Sequence, residues 1–187
     1  GHLKSWDNGS LLTSIYYRHS DGVIERISRS DSTGVITTLP VNLSTEDAAG
    51  LELSFSYNLF KWWRVMLSAN AYYSFTDGDY EGQSFYAETF TARGRFTSKW
   101  TIWKKLDIQT AFMYRAPRNT SQGKSLSMYS WDLGLAMDVL KGNGTITFSA
   151  KDMLNSRRRR WEVDTPTLVS TNDFQWRARQ FVLSFSY

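Results

Sequence analysis

Large apolar and aromatic side chains recur at every second position through most of this chain. The last stretch shows the pattern: Phe181, Leu183, Phe185 and Tyr187 alternate with Val182, Ser184 and Ser186. Leu51, Leu53, Phe55, Tyr57 and Leu59 alternate in the same way with Glu52, Ser54, Ser56 and Asn58. Successive side chains of a β-strand point to opposite faces, so each such segment has one greasy face and one small, polar face. In a soluble sandwich the greasy face packs inward. In an outer-membrane barrel it points at lipid, and the polar face lines a wet lumen. Periodicity alone leaves both open.

The connections between strands decide between them. Tight turns fall near residues 7–9, 60–63, 100–105 and 140–144, and longer polar links near 30, 76, 116 and 155. Short turns on one side and long loops on the other is the rule for outer-membrane barrels, and a sandwich has no reason to segregate its loops. Ser14 to Arg29 reads either as one long strand with a glycine bulge at Asp21-Gly22 or as two strands joined at His19 to Gly22, and the alternation of short and long links favours the single strand. Asp7-Asn8-Gly9 reads as a hairpin turn whose Asn-Gly supplies positive φ. Pro40 must sit at an edge or bulge. Thr76 to Ser84, Ala116 to Ser127 and Asn155 to Asp173 read as loops, the last being the longest. Between them, Thr89, Thr91, Arg93, Arg95, Thr97 and Lys99 share one face of a strand, and Asp107, Gln109 and Arg115 one face of the next.

Composition agrees with a membrane wall. Aromatics are 16% of the chain and come as doublets, Tyr16-Tyr17, Trp62-Trp63 and Tyr72-Tyr73, with Trp100 and Trp103 beside a tight turn. Amphipathic rings collect at membrane interfaces, so Trp62, Trp63, Trp100 and Trp103 are expected to form an interface girdle; the plainer alternative is a core rich in Trp and Tyr. Apolar runs span only a few residues, against the roughly 20 a transmembrane helix needs. With no cysteine there is neither a disulfide nor a thiol site. The net charge of +4 comes largely from Arg157, Arg158, Arg159 and Arg160. A nucleic-acid surface spreads its basic residues along a face, so one loop-like cluster argues against that partner.

Several stretches resemble a known family. Ser14-Ile-Tyr-Tyr-Arg18, Gly50-Leu-Glu-Leu53, Lys61-Trp-Trp-Arg64, Tyr114-Arg-Ala-Pro117 with Gln122-Gly123, Ser130-Trp-Asp-Leu-Gly134, Lys151-Asp-Met-Leu-Asn155 and Trp176-Arg-Ala-Arg-Gln180 span nearly the whole chain. In order and spacing they are similar to the C-terminal barrel strands of TonB-dependent receptors, in the form common in Bacteroidetes outer-membrane β-barrel proteins. The resemblance implies a barrel of about 22 strands around a plug. Eight full strands and part of a ninth are counted here, so residues 1–187 are expected to be the C-terminal portion of one barrel domain in the outer membrane of a Gram-negative cell, with the plug outside this chain. Implied partners are the rest of the barrel and its plug, outer-membrane lipid and lipopolysaccharide, a TonB-type energy-coupling protein and a surface lipoprotein. Phe181, Leu183, Phe185 and Tyr187 resemble the terminal signal by which barrels are recognised for insertion.

Nothing in the sequence assembles into bond-making chemistry. The two histidines are His2, at the ragged start, and His19, which has Ser20 and Asp21 beside it only along the chain. Asp77, Asp79 and Glu81 have alternate acidic spacing but lack the twelve-residue Ca²⁺-loop pattern, and an ordinary solvated loop is expected. No catalytic residue, metal site or cofactor is therefore expected. Arg157 to Arg160 lie on the long-loop side, where guanidinium forks suit an anionic ligand or the phosphates of lipopolysaccharide; the plainer alternative is a charged loop that meets nothing specific. Arg177 and Arg179 share parity with Phe181, eight to ten residues from Tyr187, and are expected to emerge near the outer headgroups. The expected fold is all-β, a transmembrane antiparallel barrel fragment of eight to nine strands, and the expected role is nutrient import. A non-transporting barrel that docks envelope partners, or a secreted β-sandwich that binds glycans, are the alternatives.

Overall fold

The computed structural model describes the backbone of all 187 residues and the side chains of all but Leu43 and Ser44. Thirteen strands follow in order: β1 (His2–Trp6), β2 (Gly9–Ser30), β3 (Ile36–Phe60), β4 (Trp63–Tyr80), β5 (Gln83–Ile102), β6 (Leu106–Arg115), β7 (Arg118–Thr120), β8 (Gly123–Ser125), β9 (Met128–Val139), β10 (Gly144–Lys151), β11 (Arg159–Thr165), β12 (Leu168–Phe174) and β13 (Gln180–Ser186). Nine of them form one antiparallel sheet in the order β1-β2-β3-β4-β5-β6-β9-β10-β13. The two excursions from this meander, β7 with β8 and β11 with β12, join as a second sheet in the order β12-β11-β8-β7. The expected eight strands and part of a ninth are present, β1 being the partial one.

Cross-strand register gives the large sheet two chemically distinct faces. Leu11, Phe55, Leu67, Phe96, Phe112 and Trp131 lie in one row across β2 to β9, and Ile15, Leu51, Ala71 and Ala92 in another. The rows between them, such as Ser14, Glu52, Asn70, Arg93 and Arg115, are polar and charged. Burial is inverted relative to a soluble domain. The buried hydrophobics among the described residues are few, four of them alanine, while Asn70, Ser74, Thr89, Thr91 and Ser130 are buried polar groups. Ile15 is 84% exposed and Leu183 74%. A soluble chain does not leave a whole sheet face of this kind in water. On β4 the apolar rows run from Trp63 to Phe75, which at ~3.3 Å per residue and a tilt of ~45° spans about 28 Å, close to the hydrocarbon band a barrel presents.

The short turns expected from the sequence all lie at one end. Residues 7–8, 61–62, 103–105 and 140–143 join β1 to β2, β3 to β4, β5 to β6 and β9 to β10. The first corrects an expectation: no residue of Asp7-Asn8-Gly9 has positive φ. Gly9 is instead a close approach, since a Cβ there would lie 2.5 Å from the Ser56 carbonyl oxygen and 2.8 Å from the Tyr57 ring. Around the next turn, Phe60, Trp62 and Trp63 stack on one another at centroid separations of 5.2 to 6.2 Å, and Trp100 stacks on Trp63 at 6.2 Å.

At the opposite end the segments expected as loops are largely strand. β4 and β5 continue to a two-residue turn at Glu81-Gly82, with φ of 51° and 77°, the left-handed pair that a tight hairpin requires. Polar alternation there disguises pairing that needs only backbone hydrogen bonds. Asn155 to Asp173 likewise contains the β11–β12 hairpin, and Ala116 to Ser127 the β7–β8 hairpin. The tip joining β2 to β3 is fixed by Asp31, whose carboxylate accepts from the Thr33 hydroxyl (2.7 Å) and from the N–H groups of Thr33 (2.8 Å) and Val35 (3.0 Å). The Thr33 hydroxyl first, and then these N–H groups, hold its pKa below the usual carboxylate range. The Arg29 guanidinium does the same for Glu81 at the neighbouring tip, where the two form an ion pair.

β2 is one strand with the expected bulge, and the bulge has a partner. The register slips between Ser20 and Val23, where Gly22 has φ of 67°, and slips back between Val23 and Ile24. Each strand has then absorbed one extra residue, so the pairing is restored while both strands have exchanged faces. Below the bulges even-numbered residues such as Tyr16 and Arg18 lie on the polar face. Above them Glu25, Ile27 and Val41 do, and Ile27 packs with Phe85, Val41 and Tyr80 in a small buried core. Pro40, on β3, pairs with Arg26 of β2 beyond the last pairing of β3 with β4 at Ser44 and Gly78, so it stands at an edge as expected.

Candidate functional site

The second sheet roofs the polar face at the long-loop end. On one side Asn119 of β7 donates its N–H to the Thr89 hydroxyl (3.1 Å) and its side-chain amide to the Glu88 carbonyl (3.0 Å). On the other, Gln122 accepts from the Ser28 N–H at 2.7 Å and donates to the Ser28 carbonyl at 3.2 Å, while the Ser121 hydroxyl bonds Glu25 at 3.3 Å. The β7–β8 hairpin thereby bridges from β5 to the upper part of β2. Gly123 permits its pairing with β11: φ is 146°, and a Cβ would collide with the Glu162 carbonyl oxygen.

Beneath this roof lies a cavity of about 550 Å³. Its floor is built from rows of the large sheet. Tyr16, Gly50, Tyr72 and Thr91 lie in register, and Gly50 is required, because a Cβ there would sit 2.6 Å from the Tyr16 hydroxyl and 2.7 Å from Tyr72 Cβ. The Asn70 amide, buried, donates to both Tyr16 Oη (3.2 Å) and Glu52 Oε1 (3.1 Å). Arg18, also lining the cavity, is paired with Glu46. Arg93, Arg115 and Arg118 line it with no ion-pair partner among the described residues.

A second cavity, also about 550 Å³, opens between β10, the start of β11 and the segment leading into β13. It is lined by Lys151, Arg157, Arg159 and Arg177 together with Phe174 and Trp176. Its wall is a locked turn. Asp152, 3% exposed and with φ of 54°, accepts the N–H groups of Ser156 (3.0 Å) and Arg157 (2.9 Å) and donates its own N–H to Asp132 (2.8 Å). The Arg157 guanidinium returns to Asp132 at 2.9 and 3.0 Å and to the Ser130 hydroxyl at 3.1 Å. Its Nε is buried with no partner among the described residues.

The expected arginine cluster is therefore divided. Arg157, Arg159 and Arg177 share the second cavity, whereas Arg158 pairs with Asp173 (3.3 Å) and Arg160 donates to the Ser127 carbonyl (3.2 Å). Arg179 donates to the Met153 carbonyl (3.2 Å) and lies over the Phe181 ring, 5.6 Å from its centroid, at the upper end of the apolar face. Phe181, Leu183 and Phe185 face the same way from β13, with Phe181 stacked on Phe148; Tyr187 follows the strand. Trp62, Trp63 and Trp100 share the aromatic stack, and Trp103 stands apart, 84% exposed.

His19 departs from expectation. Asp21 is within 3.1 Å of it, and Asp47 from β3 within 2.7 Å, with the Tyr17 hydroxyl donating to the same Asp47. The bulge after Ser20 turns Asp21 back toward the imidazole. Among the described residues no serine or threonine hydroxyl bonds His19, and no trio of acidic or imidazole side chains gathers as a metal site, Asp77, Asp79 and Glu81 included.

Sequence reasoning missed Asp132 and Asp152, and missed that Arg93, Arg115 and Arg118 converge. Parity already put Arg93 and Arg115 on the polar face; only the strand register puts them in one row.

No curated protein and no solved structure matches the chain. A family model does, described as the outer membrane protein beta-barrel family and covering residues 1–187. It accounts for the inverted burial, the apolar face being the lipid-facing wall and the polar face the lumen side: the chain belongs to the outer membrane β-barrel family.

Proposed function

We propose that this barrel is part of a TonB-dependent receptor-like importer that carries a nutrient ligand along the polar face. The observation that supports it is the roof. A purely structural wall has no need of a second sheet held across its lumen side, whereas an import path needs a vestibule that holds a ligand before passage. The short-turn end is then periplasmic, and the roof faces the outside of a Gram-negative cell. Plug, coupling protein and surface lipoprotein act with this chain rather than within it. Its own residues do no bond chemistry: they bind, orient and line the path. Of the six arginines singled out above, Arg179 has the geometry for a lipopolysaccharide phosphate, since it lies on the apolar face above Phe181. The final strand, with Phe181, Leu183 and Phe185 outward, serves as the insertion signal.

The test is the intact mass of the native polypeptide from a detergent-solubilised outer-membrane fraction. A chain several times heavier than 21.6 kDa that carries a plug domain is expected. A membrane-bound chain of 21.6 kDa would make this a small barrel filled by side chains and end the import reading. A heavy chain without a plug would favour a docking scaffold.

A further inference from the structure

The two roofed cavities are cationic in a way that neither the fold nor the ion-pair inventory requires. In the first, Arg93, Arg115 and Arg118 face Glu52 as the one carboxylate not already paired with an arginine; in the second, Lys151, Arg159 and Arg177 face Asp152, which is committed to the N–H groups of its own turn. The cavities are also neighbours. Arg115, which lines the first, is directly paired with Met128, which lines the second. A belt of two adjoining cationic cavities therefore crosses the lumen side, from β5 to the approach to β13. Holding like charges together in partly enclosed space is unfavourable unless an anion is drawn in, because repulsion grows as water is excluded. Guanidinium forks recognise carboxylate and phosphate bidentately, and each cavity is of a size that takes a small molecule. The aromatic members, Tyr16 and Tyr72 in one and Phe174 and Trp176 in the other, supply rigid apolar walls.

We infer that this belt is a binding site for a small ligand with at least two acidic groups, carboxylate or phosphate, that bridges the two cavities. The inference rests on reading the polar face as a lumen path and names the chemical class that path accepts.

Calorimetric titration of the detergent-purified native protein, with citrate and with pyrophosphate as separate probes, tests it. Saturable binding of at least one probe is expected, with the preferred probe separating carboxylate from phosphate recognition. Arg93→Gln with Arg115→Gln, and separately Arg159→Gln with Arg177→Gln, should each weaken binding by about tenfold or more. Arg29→Gln, at a hairpin tip away from the belt, should leave it unchanged. Arg93→Lys with Arg115→Lys keeps the charge and the fold but loses the fork, and should give an intermediate loss. Absence of saturable binding to the native protein overturns the proposal, as it would if an acidic segment of the same protein already fills the belt. Equal binding by all the variants overturns it too. Binding is read in detergent without energy coupling, so a failed import reading leaves this result standing, and a failed titration leaves the mass measurement unaffected.

Discussion

The wall and the roof are both antiparallel sheet, yet they are held by different forces. Six of the wall's nine strands run 10 to 25 residues, and the wall's apolar rows are stabilised by lipid, which accepts any greasy side chain of the right parity. The roof's four strands are three to seven residues long and have only Val163 and Leu168 as buried hydrophobics. Named contacts hold it instead: Gln122 to Ser28, Asn119 to Thr89 and Glu88, Arg157 to Asp132. A wall built on pattern tolerates substitution within the pattern, and a roof built on individual bonds does not.

The sharpest way to break the wall is a charge at the midplane. Leu67→Arg, in the central apolar row, should cost about 2–4 kcal/mol in urea unfolding from bilayers, while Ser54→Arg on the lumen side should change stability by no more than about 0.5 kcal/mol. Equal effects would mean the faces are wrongly assigned. For the roof, Gly123→Ala forces a side chain into a backbone conformation reserved for glycine and against Glu162, at a cost of ~1–3 kcal/mol. Its signature is local: amide exchange should accelerate in β8 and β11 while β4 and β5 remain protected. Asp132→Asn weakens a half-exposed ion pair and should cost about 1 kcal/mol, seen as faster exchange across residues 152–157. The smallest effect is at the β2–β3 tip. The pKa of Asp31 is lowered by folding, so its contribution is complete above the ordinary carboxylate value of about 3.9 and is lost as pH falls through its folded value. Amides of residues 33–35 should therefore lose protection in acid, and Asp31→Ala should abolish that pH dependence.

The same contrast explains what the sequence discloses. Lipid imposes one rule on every membrane-level residue, so the alternation of Leu51 to Leu59 or Phe181 to Tyr187 reports strand, face and partner environment at once. The turns of the wall were legible from their spacing, although Gly9 proved to be there for closeness rather than for φ. The roof was illegible. Arg118-Asn119-Thr120 and Gly123-Lys124-Ser125 have no periodicity long enough to read, and become strands only because they pair with each other and β11 pairs with the second of them. The candidate site was half visible: parity placed Arg93 and Arg115 on the lumen side, and the run Arg157 to Arg160 drew notice as a cluster. Register then joined Arg93 to Arg115, and Asp132 and Asp173 drew Arg157 and Arg158 apart from their neighbours.

The paired bulges in β2 and β3 carry a consequence for how such a chain tolerates insertions and deletions. Each bulge alone reverses one strand, and the two together reverse both, so Ile27 and Val41 meet on the same side above the membrane. Loss of Gly22 by itself would send Ile27 outward while Val41 stayed inside, dismantling the core they form with Phe85. Length changes in this hairpin are therefore tolerated in matched pairs, one residue from each strand, and an unmatched single-residue change is the one that selection should remove.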